Sequence, residues 1–192
     1  KGMPAALLMA LLQGSLRTLL VAGFRGEELL GKLNAHLCAN IPANRLVTLF
    51  YGELETATGA LAYVNAGHNP PFLVGARSPS RPLLSTGPAL GILEGAVFGE
   101  EKARLEPGGR LFLYTDGVTE AENAGDEAYG EERLLAYLAL HREESGQGLV
   151  DGVVQDVLAF CGTTRTRDDM TLMCLSRARS PSDGGTEDGG CR

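Results

Sequence analysis

No stretch of the chain offers the ~20 uninterrupted apolar residues that a membrane-spanning helix needs. Gly2 to Leu20 comes nearest, but Gln13, Gly14, Ser15, Arg17 and Thr18 break it. Positive charge is also scarce: 17 Lys and Arg stand against 24 Asp and Glu, for a formal net charge of -7. That balance argues against sequence-independent nucleic-acid binding, which needs a basic surface. It leaves metal binding open, because carboxylates are themselves ligands. The four cysteines (Cys38, Cys161, Cys174 and Cys191) include no C-x-x-C pair. A disulfide framework or zinc site is therefore not expected, and the chain reads as a reduced, cytoplasmic one. No signal peptide is visible, although Lys1 rather than Met opens the sequence. The start is read as a fragment edge, so missing targeting signals carry no inference, and an upstream region carrying an anchor would tether the chain to a membrane.

The 192 residues suit one domain. Leu7, Leu8, Leu11, Leu12, Ser15, Leu16 and Leu19 recur at spacings of three and four, which predicts a helix over residues 4–21 with Pro4 in its first turn. Leu29, Leu30, Leu33 and Leu37 predict a second over 27–38, with Gly23 and Gly26 at the join. Residues 46–54 and 60–65 read as a hairpin around 55–59, and 71–74 as a short strand. Residues 77–82 read as a polar loop. Residues 97–105 and 110–115 flank Glu106-Pro107-Gly108-Gly109 and read as a second hairpin. Helices are expected over 131–141 and 149–160, and a closing strand over 170–175. From Arg177 the composition turns to Ser, Gly, Asp and Pro, so 1–176 is expected to be the domain and 177–192 a disordered tail. Helices, hairpins, helices and a last strand indicate an α+β layered domain rather than a βαβ parallel fold.

Two acidic sites carry the chemistry. In the first, the apolar run Leu111-Phe112-Leu113-Tyr114 leads into Thr115-Asp116-Gly117. A strand end fixes the acid, and Gly117 lets backbone or water come close. In the second, Asp168-Asp169 precedes Met170-Thr171-Leu172, so a loop delivers acids into a strand. Carboxylates from separate strand ends can converge on one hard cation. Oxygen-only ligation suits Mg²⁺ or Mn²⁺, and the lack of His or Cys beside either acid argues against zinc. Each site also has a plain reading: Asp-Gly is a common turn dipeptide, and Asp-Asp before a strand can be a solvated turn. Spacing alone does not choose between these readings.

The order of several motifs does. Lys1-Gly2-Met3-Pro4-Ala5-Ala6-Leu7-Leu8-Met9 is similar to the segment that follows an Asp-x-x-Gly-His-Gly motif, with Lys1 at its His position. Then come Thr48-Leu49-Phe50-Tyr51-Gly52, Thr58-Gly59, Tyr63-Val64-Asn65-Ala66-Gly67-His68-Asn69-Pro70-Pro71 and Gly87-Pro88-Ala89-Leu90-Gly91-Ile92. Pro107-Gly108-Gly109-Arg110, Tyr114-Thr115-Asp116-Gly117-Val118-Thr119-Glu120-Ala121, Tyr129-Gly130-Glu131-Glu132-Arg133-Leu134 and Asp168-Asp169-Met170-Thr171-Leu172 complete the series. Over residues 1 to about 176 this resembles the stage II sporulation protein E-type phosphatases, of the metal-dependent (type 2C-like) protein phosphatase superfamily.

The resemblance implies two packed, mainly antiparallel β-sheets flanked by helices, here lacking the N-terminal strands. It implies hydrolysis of phosphoserine or phosphothreonine on a protein, with two Mn²⁺ or Mg²⁺ ions activating a water for in-line attack. Asp116 and Asp168 match two of the family's metal-ligand aspartates, with Asp169 and Gly117 in supporting places. No catalytic side chain is expected beyond the metal-activated water. The implied substrate is a phosphorylated anti-sigma-factor antagonist, in bacterial sigma-factor regulation, with a sensor or receiver domain upstream in the same chain. The family's bridging aspartate would fall before Lys1, so the chain as it stands is expected to turn over weakly or not at all. The alternative is a non-catalytic phosphoprotein-binding or regulatory module of the same fold. His68 reads as a packed or solvated loop histidine rather than an acid near a leaving oxygen, and Glu120 as a surface or supporting acid rather than a ligand.

Overall fold

The computed structural model describes residues 3–42, 44–162 and 168–179. Its strands form two sheets, each paired antiparallel, and with five helices among the described residues the protein is α+β. Contacts divide the chain into two compact units: Lys1–Pro71 with Pro82–Arg104, and Phe72–Arg81 with Leu105–Arg192.

The first unit opens with α1 (Met3–Val21) and α2 (Gly26–Asn40). The leucine stripe of α2 works as its period predicts: Leu29, Leu30, Leu33 and Leu37 are fully buried. Glu27 and Glu28 in its first turn complement the partial positive charge of the helix start. On α1 only Leu12 is buried among the described residues, and Leu8, Leu11, Leu16 and Leu19 are half-buried. Leu7 and Val21 are exposed, so Leu7 does not join the packed face expected of it. Strands β1 (Leu49–Leu54) and β2 (Ala60–Ala66) form the expected hairpin, in register from Leu49↔Ala66 to Leu54↔Leu61. Gly59 turns it at φ 76°. The other edge of β2 pairs with β5 (Glu101–Arg104).

The second unit holds β3 (Phe72–Val74), β6 (Arg110–Tyr114) and β7 (Leu172–Ser176), with β6 in the middle. The two-residue β4 (Arg81–Pro82) extends this sheet beside β3, where only a loop was expected. Phe72 pairs with Phe112, and Arg110 to Tyr114 run opposite Ser176 to Leu172. Helices α4 (Glu131–Leu140) and α5 (Gly146–Cys161) supply Leu134, Leu138, Leu149, Val153 and Val157 to a core with Phe72, Phe112 and Tyr114. Ser145 caps α5 by accepting the Gly148 N–H at 2.9 Å, and Gly162 ends it in the left-handed region. A single turn, α3 (Asp116–Thr119), follows β6 directly.

The second expected hairpin is not one. Residues 106–109 do bend, with the Gly109 N–H on the Glu106 carbonyl at 2.8 Å. The flanking strands then join different sheets, β5 pairing with β2 and β6 with β3 and β7. A turn signal encodes a local bend and leaves the choice of partner to the core. At the chain's far end, Arg177 is still bonded: its N–H meets the Gly109 carbonyl at 3.0 Å, and its carbonyl accepts the Gly108 N–H at 2.8 Å. Arg179, also within the expected tail, donates to the Glu143 carboxylate at 2.7 Å, and residues 180–192 of that tail lie outside the described residues.

Candidate metal centre

Antiparallel pairing of β6 with β7 brings the two acid-bearing segments to one end of one sheet. Beyond the last pair, Tyr114↔Leu172, the register continues through Thr115 and Thr171. The Thr115 N–H donates to the Thr171 carbonyl at 3.1 Å. In return the Thr171 N–H donates to the Thr115 side-chain oxygen at 3.0 Å. Two residues on, Gly117 faces Asp169. A Cβ on Gly117 would lie 2.4 Å from the Asp169 carbonyl oxygen, so only glycine allows this approach. The glycine expected to admit close backbone is thus set against the backbone of the second acidic segment.

Below this end the strand is firmly seated. Tyr114 stacks on Phe72 with centroids 5.6 Å apart, and its hydroxyl donates to Glu131 at 3.0 Å. After Asp116 the chain leaves the sheet as the turn α3, closed by the Glu120 N–H on the Asp116 carbonyl at 2.8 Å. Residues 120–130 return to it through the Gly130 N–H on the Thr119 carbonyl at 2.9 Å.

Asp116, Asp168 and Asp169 are all exposed. Asp116 accepts the Gly117 N–H on Oδ1 at 2.9 Å, and Asp168 accepts the Asp169 N–H on Oδ1 at 2.9 Å. Each of these two carboxylates is therefore oriented by the backbone next to it. Among the described residues no three or more His, Cys, Asp or Glu side chains gather as a group able to hold a metal. The donors at this end are a small set of carboxylates.

Glu120 is exposed, as read from the sequence. His68, in the first unit, has its Nδ1 3.2 Å from the Thr48 hydroxyl, and its N–H donates to Asn65 Oδ1 at 2.8 Å. This is a packed loop histidine. Sequence reasoning missed Thr115, whose place between strand and acid gave no sign that its hydroxyl would reach the other segment. It also missed two buried asparagines. Asn34 falls four residues after Leu30 on the α2 stripe, a position that could have marked it as buried.

Comparisons with known proteins agree with this architecture. A solved structure of the RsbU and RsbW domains of a Mycobacterium tuberculosis protein superposes with TM-score 0.72 at 27% identity, over 94% of this chain and 50% of that one. The SiaA-PP2C domain of Pseudomonas aeruginosa gives TM-score 0.77 at 19% identity, over 91% and 71%, and shares the fold. In sequence, phosphoserine phosphatase RsbU of Bacillus subtilis is 29% identical over 92% of this chain. Protein IcfG of Synechocystis is 32% identical over 68% of it. The chain spans 52% of the first of these relatives and 20% of the second. The stage II sporulation protein E family matches residues 1–178, nearly the whole length, and the chain belongs to that family.

Proposed function

We propose that the chain is a metal-dependent protein phosphatase unit that removes phosphate from serine or threonine side chains of a protein, with Asp116 and Asp168 as metal ligands. The observation that carries this reading is the meeting of the Asp116 and Asp168–Asp169 segments at one sheet end, with Gly117 against Asp169. The donor chemistry fits a hard dication: Mg²⁺ is commonly held by one or two carboxylates, keeping waters and substrate phosphate as its other ligands. Mn²⁺ accepts the same oxygen donors. When bound, such cations supply charge neutralisation at phosphoryl oxygens and acidify water.

The chain's own residues do the positioning. Asp116 and Asp168 present carboxylates oriented by their neighbouring N–H groups. Asp169 contributes the carbonyl against which Gly117 packs and a further negative charge. Relatives named as phosphoserine phosphatases, RsbU and RsbP of Bacillus subtilis, support a phosphoserine substrate. The Mycobacterium tuberculosis relative carries an RsbW domain beside its RsbU domain. This supports, as the finer proposal, a phosphorylated anti-sigma-factor antagonist as the substrate. No described helix is long and apolar enough to cross a membrane, and a cytoplasmic site of action is proposed with the substrate.

The test is release of inorganic phosphate from a phosphoserine peptide, with and without Mn²⁺. It is run on residues 1–192 and on the full-length protein that contains them. Mn²⁺-stimulated release is expected. Asp116→Asn and Asp168→Asn should each lower it by at least about 100-fold, or roughly 3 kcal/mol of transition-state stabilisation. Full activity in both variants would overturn the ligand assignment. Retained binding of the phosphopeptide without any release would favour the binding-module alternative.

A further inference from the structure

An N-cap threonine ordinarily turns its side-chain oxygen onto the free N–H groups of the first helical turn. Thr115 holds that position at α3, with extended backbone at φ -102° and ψ 164°, yet its side chain makes no cap bond. The Gly117 N–H is taken by Asp116 Oδ1 instead. The Thr115 oxygen accepts the Thr171 N–H at 3.0 Å. Together with the backbone bond from Thr115 to Thr171 at 3.1 Å, it ties the two segments by two bonds at one rung. Asp116 is the next residue on one side of that rung, and Asp169 and Asp168 are two and three residues away on the other.

Within the metal-site reading just proposed, we infer that Thr115 is a positioning residue, whose hydroxyl sets the spacing of the Asp116 and Asp168 carboxylates and thereby the affinity for the cation. Gly117 sets how closely the segments can approach, since its Cα lies against the Asp169 carbonyl. Thr115 carries the β6–β7 register one rung past the last strand pair, Tyr114↔Leu172, toward the acids. Past the last strand pair, a single backbone bond constrains the rung less than two, and the side-chain bond adds the second. Groups that orient ligands without touching the metal commonly change its affinity about 10–100-fold when removed.

Thr115→Val keeps the size and β-branching of the side chain but has no acceptor. Thr171 is exposed, so water can take its N–H and the fold should persist. Thr115→Ser keeps the acceptor, and Thr115→Ala serves where the valine variant folds poorly. Mn²⁺ alone is the probe, read by paramagnetic broadening of the Gly117 and Asp169 amide resonances. The metal-free protein in EDTA is read by its thermal midpoint and by hydrogen exchange of the Thr171 amide.

In Thr115→Val the Thr171 amide should exchange faster and the midpoint should barely move. The Mn²⁺ concentration giving half-maximal broadening should rise about tenfold or more. Thr115→Ser should restore the original response. Faster Thr171 exchange with an unchanged Mn²⁺ response would overturn the inference, and so would a serine variant that behaves like valine. Asp116→Asn separates this failure from failure of the underlying reading. If that variant loses Mn²⁺ broadening while Thr115→Val does not, the metal site stands and the positioning role falls. If Asp116→Asn also binds Mn²⁺ normally, the metal site itself is wrong.

Discussion

The two units of the chain solve the same problem by different means. Each must hold irregular backbone in a defined place. In the first unit, fully or almost fully buried asparagines do this: Asn34 is 1% exposed and Asn65 0%. Asn34 accepts the Gly91 N–H on Oδ1 and donates from Nδ2 to the Leu93 carbonyl, both at 2.9 Å. Asn65 accepts the His68 N–H at 2.8 Å and donates to the Leu83 carbonyl at 3.2 Å. An amide offers both a donor and an acceptor, so it can pair with non-repetitive backbone that no strand reaches. In the second unit the core is almost wholly apolar, with Thr119 its single buried polar residue among the described residues. There the acid-bearing segments are placed by strand register, continued one rung by Thr115. Sheet register fixes position to within a fraction of a residue step, which suits carboxylates that must share a cation.

If that contrast is right, an apolar truncation should hurt the second unit most. Leu134 on α4 is 0% exposed in its core. Leu134→Ala should cost about 2–5 kcal/mol, measured as a shift of the urea midpoint. A cost below ~1 kcal/mol would mean that this core relaxes around the cavity, and the picture of a rigid apolar base beneath the acids would be lost.

The first unit should instead be sensitive to the chemistry of its amides. Asn34→Ala strips the buried Gly91 N–H of its acceptor and should cost about 1–3 kcal/mol. Asn34→Asp sharpens the test. It keeps an acceptor for Gly91 but sets an oxygen against the Leu93 carbonyl and adds a nearly buried charge, so it should be no better than alanine at neutral pH. Near-normal stability in both variants would show that packing of Leu90 and its neighbours, not the amide clamp, holds residues 91–93.

Much of this was legible in the sequence where one period dominates. The stripe from Leu29 to Leu37 gave α2, and the run from Arg110 to Tyr114 gave the central strand of the second sheet. Asp116 and Asp168 stood out because each adjoins an apolar strand, and pairing of β6 with β7 brings their segments together. Pairing across sheets was not legible. Glu106-Pro107-Gly108-Gly109 predicts a bend, but β5 goes to β2 and β6 to β3 through contacts distant in sequence. Asn34, Asn65 and Thr115 were silent for a related reason. A polar residue in an apolar pattern shows that a partner is needed and not where that partner lies. The two residues of β4 and the four of α3 are too short to leave a period at all.

The smallest expected effect concerns alkaline pH, where the units should again differ. Tyr114 and Tyr129, both 2% exposed in the second unit, have their phenol ionisation pushed well above the usual range. Burial is the largest cause in each, followed by the carboxylates that their hydroxyls meet, Glu131 at 3.0 Å and Asp156 at 2.5 Å. In the first unit Tyr51 is raised for the same reasons, burial and then Glu53, but it is only half-buried. A group whose folded ionisation lies above its unfolded value gives stability that is complete below the unfolded value, near pH 10, and declines as pH rises toward the folded one. Stability should therefore be flat from these groups up to about pH 9 and fall above pH 10, by at most about 1.4 kcal/mol per buried tyrosine at pH 11. Tyr114→Phe and Tyr129→Phe should each flatten that alkaline decline, whatever they do to stability at pH 7, whereas Tyr51→Phe should change its slope less, because water screens the half-exposed Tyr51 hydroxyl and lessens its upward shift. Urea unfolding followed from pH 8 to 11 in the three variants measures it. An equal change of slope in all three would mean that the half-buried Tyr51 hydroxyl is shielded as fully as the two in the second core, and the contrast between an apolar unit and an amide-clamped one would fail on its electrostatic side.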